Sequence, residues 1–394
     1  MSLLPIVMLV VVTVLIVPPF LYYQFMKRVS KRPYNLKSDF AYTPLVTLIL
    51  PTYNEASIID KKLHNLENID YPSEGLEIII VDSASSDRTL DKCGAYLREK
   101  PLKFRTTLLS EERRMGKSHA LNTALEHARG EIIATTDADS FWKADALRAA
   151  VSYFADPAVG AVSGHERIIN ANQNDYTLAE HAYREYFYRL RLGESKLHST
   201  LLFQGELSLY RRSAFNRFED RPGYSDDTGT VLKIISRLHR TIFAPDAVFF
   251  DSAPYTFRDR LSLKSRRGQH VISAALASIR LRGILPLEII VFTMVFNVVC
   301  PVIFSIALAL SAVIIYSYNL WWVLPIAIPV LVLRKLRIVA LSYVTSNLAL
   351  ILAMVYLLFG MNSRAWKKIE RMRTVYQTID FDQLPLKSSQ TSWS

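Results

Sequence analysis

Asp137 and Asp139 stand one residue apart near the end of EIIATTDADSFW (Glu131–Trp142). At strand spacing their carboxylates project to one side, with Ala138 turned away. Two close carboxylates repel each other, so their ionised forms need a cation or hydrogen-bond donors. Mg2+ or Mn2+ held by one or two carboxylates, with phosphate oxygens completing its shell, fits this pattern. A helix cap is the competing reading, because DADSFWKADAL also runs into a helical pattern. Asp82 ends the aliphatic run LEIIIVD, where an acid can accept from a nucleotide base or ribose, whereas Asp87 reads first as a cap. Gly116 and Lys117 open a helix, and an amide-lined N-terminus with a lysine suits a phosphate. Without further glycines this is not a P-loop. His119, His165 and His181 show no metal-ligand spacing and receive no role.

These acids need a rigid frame, and the surrounding pattern supplies one. LVTLIL (Leu45–Leu50), LEIIIVD (Leu76–Asp82), KFRTTLL (Lys103–Leu109) and EIIATTD (Glu131–Asp137) read as strands. ASIIDKKLHNL, DRTLDKCGAYLRE and GKSHALNTALEHA between them read as helices. Such alternation implies an α/β fold with a mainly parallel sheet covered on both faces. Ligands bind outside the carboxyl ends of such strands. PTYNE, DSASSD and DADS all fall at that edge.

The rest of the chain points to a membrane. Half of the 394 residues are hydrophobic, and the net charge is +11. The charge sits beside apolar runs: Lys27, Arg28, Lys31 and Arg32 follow the first, and Arg258 to Arg282 precede another. Basic residues there anchor a chain to membrane lipids on the cytoplasmic side, so no nucleic acid partner is expected. Leu3 to Met26 carries no charge and is long enough to cross about 30 Å of hydrocarbon. It lacks a basic n-region and a cleavage site, so it reads as an anchor that places the next domain in the cytoplasm. The expected blocks are an anchor (1–27), a soluble α/β domain (43–253), a basic interfacial segment (254–283), a membrane region (284–361) and a basic amphipathic tail (362–394). The membrane region has two or three spans, depending on Leu320–Leu333, which carries Pro325 and Pro329. AWKKIERMR (Ala365–Arg373) reads as a helix lying on the membrane surface. Cys93 and Cys300 allow no disulfide framework or zinc cluster.

LILPTYNEASIIDKKL, IIIVDSASSDRT and GKSHALNTALEHARGEIIATTDADS, in this order and separation, resemble the successive motifs of family 2 glycosyltransferases. FQGELSLYRRSAF (Phe203–Phe215) is similar to the acceptor-side segment of the family's membrane-bound branch, and YSDDTG to its TED motif, with Ser225, Asp226 and Asp227 in the three places. That branch includes hyaluronan, chitin and cellulose synthases and related N-acetylglucosaminyltransferases. The resemblance implies a nucleotide-sugar-binding, GT-A-like domain flanked by transmembrane helices. Thr52, Tyr53, Glu55 and Asp82 would hold the base and ribose, with Lys117 near the nucleotide. Asp137 and Asp139 would position the sugar nucleotide and a Mg2+ or Mn2+ ion, and Asp227 would be the general base. One base and no second nucleophile suits single displacement with inversion.

The resemblance implies a nucleotide-sugar donor, with a UDP sugar favoured over GDP-mannose, and a lipid-linked or glycan acceptor at the cytoplasmic face of the cell membrane. One departure concerns the QxxRW motif of processive members, where this chain reads KSRRG (Lys264–Gly268). Arg267 keeps the arginine and its possible diphosphate contact, while Lys264 and Gly268 replace glutamine and tryptophan. Without an aromatic face for the acceptor sugar, short products or single transfers are expected. Transfer to a lipid phosphate such as a polyprenyl phosphate is the alternative, as is polysaccharide synthesis. In YTLAEHAYREYFYRL (Tyr176–Leu190), Tyr183, Phe187 and Leu190 share a helical face and read as packing.

Overall fold

The computed structural model of the chain describes residues 3–321, 325, 328–361 and 369–378. Its first half runs α1 (Leu3–Val29), β1 (Val46–Thr52), α2 (Ile59–Glu67), β2 (Leu76–Asp82), α3 (Thr89–Glu99), β3 (Arg105–Ser110), α4 (Lys117–His127), β4 (Ile132–Thr135), β5 (Phe141–Trp142), α5 (Ala146–Ser152) and β6 (Val159–Ile168). There follow α6 (Asp175–Leu197), β7 (Ser208–Arg211), α7 (Asp226–Ser236), β8 (Arg240–Asp251), α8 (Phe257–Ser278), α9 (Leu287–Met294), α10 (Cys300–Ser317), α11 (Ile328–Val332), α12 (Arg334–Leu358) and α13 (Glu370–Thr378). These elements form two compact units that interleave the linear blocks of the sequence.

One unit comprises Pro33–Ile169, Ser195–Ser252 and the described part of the tail. Its sheet has the order β3-β2-β1-β4-β7-β6-β8-β5 among the described residues. Pairings from β3 to β4, and between β6 and β8, are parallel; β4–β7, β7–β6 and β8–β5 are antiparallel. The fold is therefore α/β with a mixed sheet whose first half is parallel. Val46, Leu48 and Leu50 of β1 and Ile78 and Ile80 of β2 are buried with Leu63 and Leu66 of α2. Burying both faces of the central strands demands near-continuous aliphatic runs, which is what these segments contain. In the β1–β2 register Val46 pairs with Leu76 and Thr52 with Asp82, so two candidate residues end adjacent strands side by side.

The loops beyond that edge carry Asn54 and Ala84 at φ 54° each, in the left-handed region that non-glycine residues seldom occupy. They are tied together: the Asn54 amide donates to Ser85 Oγ, and the Ser86 amide donates to Asn54 Oδ1.

The other unit comprises Met1–Arg32, Asn170–Glu194 and Ala253–Ser363 within the described residues. A five-residue π-turn (Val295–Val299) joins α9 to α10. The combined helix Leu287–Ser317 and α12 are each long and apolar enough to cross a membrane. Among the described residues α11 has five, fewer than a span needs at about 1.5 Å per residue. Ile272 of α8 is buried with Leu350 and Ala353 of α12. Where the two helices meet, a Cβ on Gly268 would lie 3.0 Å from the Ala353 Cβ.

A buried ionic cluster pins α6 to α8. Glu180 accepts from Arg260 at 3.0 Å and lies 3.2 Å from Lys264, whose ammonium sits 3.1 Å from the Tyr183 ring centroid. Arg260 also donates to the Leu341 carbonyl and the Thr345 hydroxyl of α12. Phe187 and Leu190 are buried on α6, in keeping with packing.

The tail departs from the surface-helix expectation. Residues 365–368 of that segment lie outside the described residues, but α13 follows, and it packs against the sheet unit. Arg373, Val375 and Tyr376 are buried, Tyr376 with Phe141 and Phe250. An amphipathic pattern cannot tell a membrane from a protein surface as the partner of its apolar face.

Candidate active site

β4 stops at Thr135, so Asp137 and Asp139 stand in the turn beyond the strand, with Ala138 buried between them. The next helix, α5, starts at Ala146, so neither acid occupies its cap position. Lys62 of α2 supports the turn from below. Fully buried, it donates to Thr136 Oγ1 at 2.7 Å and to the Ser140 carbonyl at 2.6 Å. Burial pushes the Lys62 ammonium down to about 7, opposed by the charges of Asp137 and Asp139. Nothing in the sequence singled Lys62 out, beyond its place on the apolar face of ASIIDKKLHNL.

Lys117 opens α4 after Gly116, whose φ of 99° favours glycine. Its ammonium lies 2.5 Å from Asp137 Oδ1 and 3.8 Å from Asp226 Oδ2. Against the cost of burial, Asp137, Asp226 and Glu206 hold it protonated above the usual lysine range. Burial raises the Asp137 carboxyl, with Lys117 pulling the other way. α7 begins at Asp226, so both acids lie in its first turn. Burial lifts Asp226 to about 6 against Lys117, with Asp227 and Asp137 adding to the rise. Asp227 Oδ2 accepts the Gly205 amide at 3.1 Å, while Oδ1 accepts from the Ser225 hydroxyl and the Thr228 amide. A Cβ at Gly205 would stand 3.0 Å from Lys117 Nζ and 3.6 Å from both Asp226 and Asp227. The bare backbone there lets the three groups converge.

At the other end of the edge, the Thr52 hydroxyl donates to Asp82 Oδ1 at 3.1 Å. Asp82 also accepts from the amide and hydroxyl of Ser85. The Arg114 guanidinium lies 3.8 Å from the Tyr53 ring centroid. Asp87 accepts from Thr89, the first residue of α3, in keeping with its cap reading. Glu55 is buried, and Arg373 of α13 reaches it: Nη2 lies 2.5 Å from Glu55 Oε2 and 3.8 Å from Asp139 Oδ2. No local signal marked Arg373, which stands more than three hundred residues from Glu55.

The sheet unit thus brings together Thr52, Tyr53, Glu55, Asp82, Lys117, Asp137, Asp139 and Asp227 at the carboxyl edge of its parallel half. Arg267 lies on α8 in the helical unit. No group of three or more His, Cys, Asp or Glu side chains with metal-binding geometry occurs among the described residues. Two carboxylates in one turn nevertheless suit Mg2+ or Mn2+ when phosphate oxygens supply further ligands.

The model of "Glycosyl transferase family 2" matches residues 47–218. A beta-monoglucosyldiacylglycerol synthase from Trichormus variabilis is 30% identical over 208 residues, 52% of this chain and 44% of that protein. An N-acetylglucosaminyltransferase from Rhizobium meliloti is 28% identical over 286 residues, covering 68% of this chain and 64% of its own length. The chain therefore spans less than two thirds of these curated relatives. Among solved structures, the mannosyltransferase PcManGT from Pyrobaculum calidifontis, in complex with GDP-Man and Mn2+, is 33% identical with a TM-score of 0.77. The match covers 91% of this chain and 99% of that one.

Proposed function

The chain belongs to glycosyl transferase family 2, and from that premise we propose that it is a membrane-integrated inverting glycosyltransferase using a nucleotide-sugar donor. The observation that carries this reading is the meeting of Asp137, Lys117, Asp226 and Asp227 at one strand edge, two residues from Asp139. In it, Thr52, Tyr53, Glu55 and Asp82 hold the base and ribose. Asp137 and Asp139 would hold the divalent cation, which when bound offsets charge on the leaving diphosphate. Asp227 accepts the proton of the incoming acceptor oxygen as that oxygen attacks the anomeric carbon from the face opposite the nucleotide. Lys117 keeps Asp137 and Asp226 compensated while the site is formed.

GDP-mannose is the first donor to test, supported by the mannosyltransferase named with it. A UDP sugar is the second reading, supported by the hyaluronan- and chitin-like motifs. A lipid-linked acceptor is supported by the diacylglycerol-glycosylating relative and by the two long apolar helices. The basic residues after α1 support a cytoplasmic sheet unit.

The deciding experiment incubates detergent-purified protein, membrane lipids and Mn2+ with radiolabelled GDP-mannose, UDP-glucose or UDP-N-acetylglucosamine. The expected result is label in the lipid fraction from one donor, lost in excess EDTA and in Asp139→Asn. Label undiminished by both treatments would overturn the metal assignment, and no transfer from any nucleotide sugar would overturn the activity.

A further inference from the structure

We propose that Arg373, delivered by the C-terminal tail, is a donor-site residue that binds the diphosphate of the nucleotide sugar, so that tail docking and donor binding reinforce each other. The inference rests on the nucleotide-sugar reading above and adds to it an element outside the matched family segment.

The tail helix is anchored independently of Arg373. The Tyr376 ring packs 5.1 Å from the Phe141 ring centroid, and its hydroxyl donates to Asp251 Oδ1 at 2.8 Å. Lys61 donates to the Tyr376 carbonyl. Phe141 directly follows the acid turn, and Lys61 precedes the lysine beneath it. The anchor therefore sets the Arg373 side chain, 5% exposed, against the same structure that carries Asp139. There the guanidinium spans acids from two loops, Glu55 after β1 and Asp139 after β4, and Nη1 lies 3.4 Å from the Asn54 carbonyl.

Charge gives this arrangement its direction. Lys117 compensates Asp137 and Asp226, and Arg373 compensates Glu55 and Asp139. A divalent cation on Asp139 would stand close to a guanidinium of like sign, which weakens that contact. A diphosphate entering with the cation restores the balance and offers oxygens to the planar fork of arginine, which suits phosphate better than an ammonium does. Glu55 then keeps the fork oriented. The metal alone should loosen the tail, and metal with a nucleoside diphosphate should tighten it. A nucleoside monophosphate should do so less.

The test uses the full-length chain in detergent. Calorimetric titrations measure GDP, UDP and the matching monophosphates in Mn2+, for wild type, Arg373→Gln, Arg373→Lys and Tyr376→Phe. Mass spectrometry follows tryptic release of the C-terminal segment. Arg373→Gln should weaken diphosphate binding about tenfold or more, the scale of a lost charged hydrogen bond, and change monophosphate binding little. Arg373→Lys should recover part of the loss. Tyr376→Phe keeps the guanidinium but loses an anchor, so faster tail release and weaker diphosphate binding should appear together. In wild type, Mn2+ should speed tail release and Mn2+ with diphosphate should slow it. If Arg373→Gln and Tyr376→Phe bind the diphosphate as tightly as wild type, the proposal is overturned while the donor reading stands. If wild type binds no nucleotide, the donor reading itself fails, and the proposal with it.

Discussion

Asp226 and Asp227 are adjacent yet meet different partners. Asp227 is oriented by the Gly205 amide and by the first turn of α7, whereas Asp226 turns to Lys117. Held by backbone donors, Asp227 has one fixed geometry from which to receive a proton. Asp227→Asn should keep donor affinity and lower kcat by about 10²–10⁴, the range for losing a general base, while Asp226→Asn should lose less. Titration calorimetry with single-turnover rates checks both, and the reverse ranking would move the base to Asp226. Lys62 offers a second test. Unfolded, its ammonium titrates near 10.5; folded, near 7. Between those values the unfolded chain binds more protons, so native stability rises with pH across the window. Lys62→Met lacks that slope. The melting temperature of wild type relative to the variant should climb by several degrees from pH 7 to 9.5, and a difference constant with pH would show that Lys62 is not desolvated as described.

Gly268 shows how one element can decide what another is able to do. At the place that the resemblance would give to the tryptophan of processive members, α12 packs close: a Cβ on Gly268 would meet Ala353 at 3.0 Å and Leu350 at 3.4 Å. An aromatic platform and this helix contact exclude each other. Gly268→Trp should therefore cost stability, about 1–3 kcal/mol or more as overpacking, with Gly268→Ala milder. Wild-type products should be single transfers or short chains, and long polymer made from nucleotide sugar alone would refute the link. The parallel half of the sheet was legible because β1, β2 and β4 are aliphatic runs followed by polar loops. The other half was not. β5 has two residues and β7 four, too few for a period to register. β8 carries Pro245 in a wide irregularity, where β6 advances from Ser163 to His165 while β8 moves from Phe243 to Val248; such bulges tolerate proline but break alternation. The acids of the site were readable because carboxylates at strand ends are informative. Lys62 and Arg373 were not, since basic residues on helices ordinarily face water.

At the scale of the whole molecule, the tail favours one of the two span counts that hydropathy left open. α13 belongs to the sheet unit, while α9–α10 and α12 lie between them in the chain. Two crossings would return the chain to the side it left and would put the basic tail with the other basic clusters. Protease added to sealed, right-side-out cells should reach neither the Ser83 loop nor the Thr374 region, and both should be cut after permeabilisation. Cleavage near Thr374 alone before permeabilisation would mean an odd number of crossings. The docking of α13 also orders events during synthesis. Ribosomes make the N-terminus first, so the sheet strands, and with them Phe141 and Phe250, emerge long before Tyr376. That apolar seat stays uncovered until α13 has left the ribosome. A nascent chain that stalls before α13 therefore carries a visible flaw on its folded part, open to chaperones and proteases, and only a copy translated past Tyr376 conceals it.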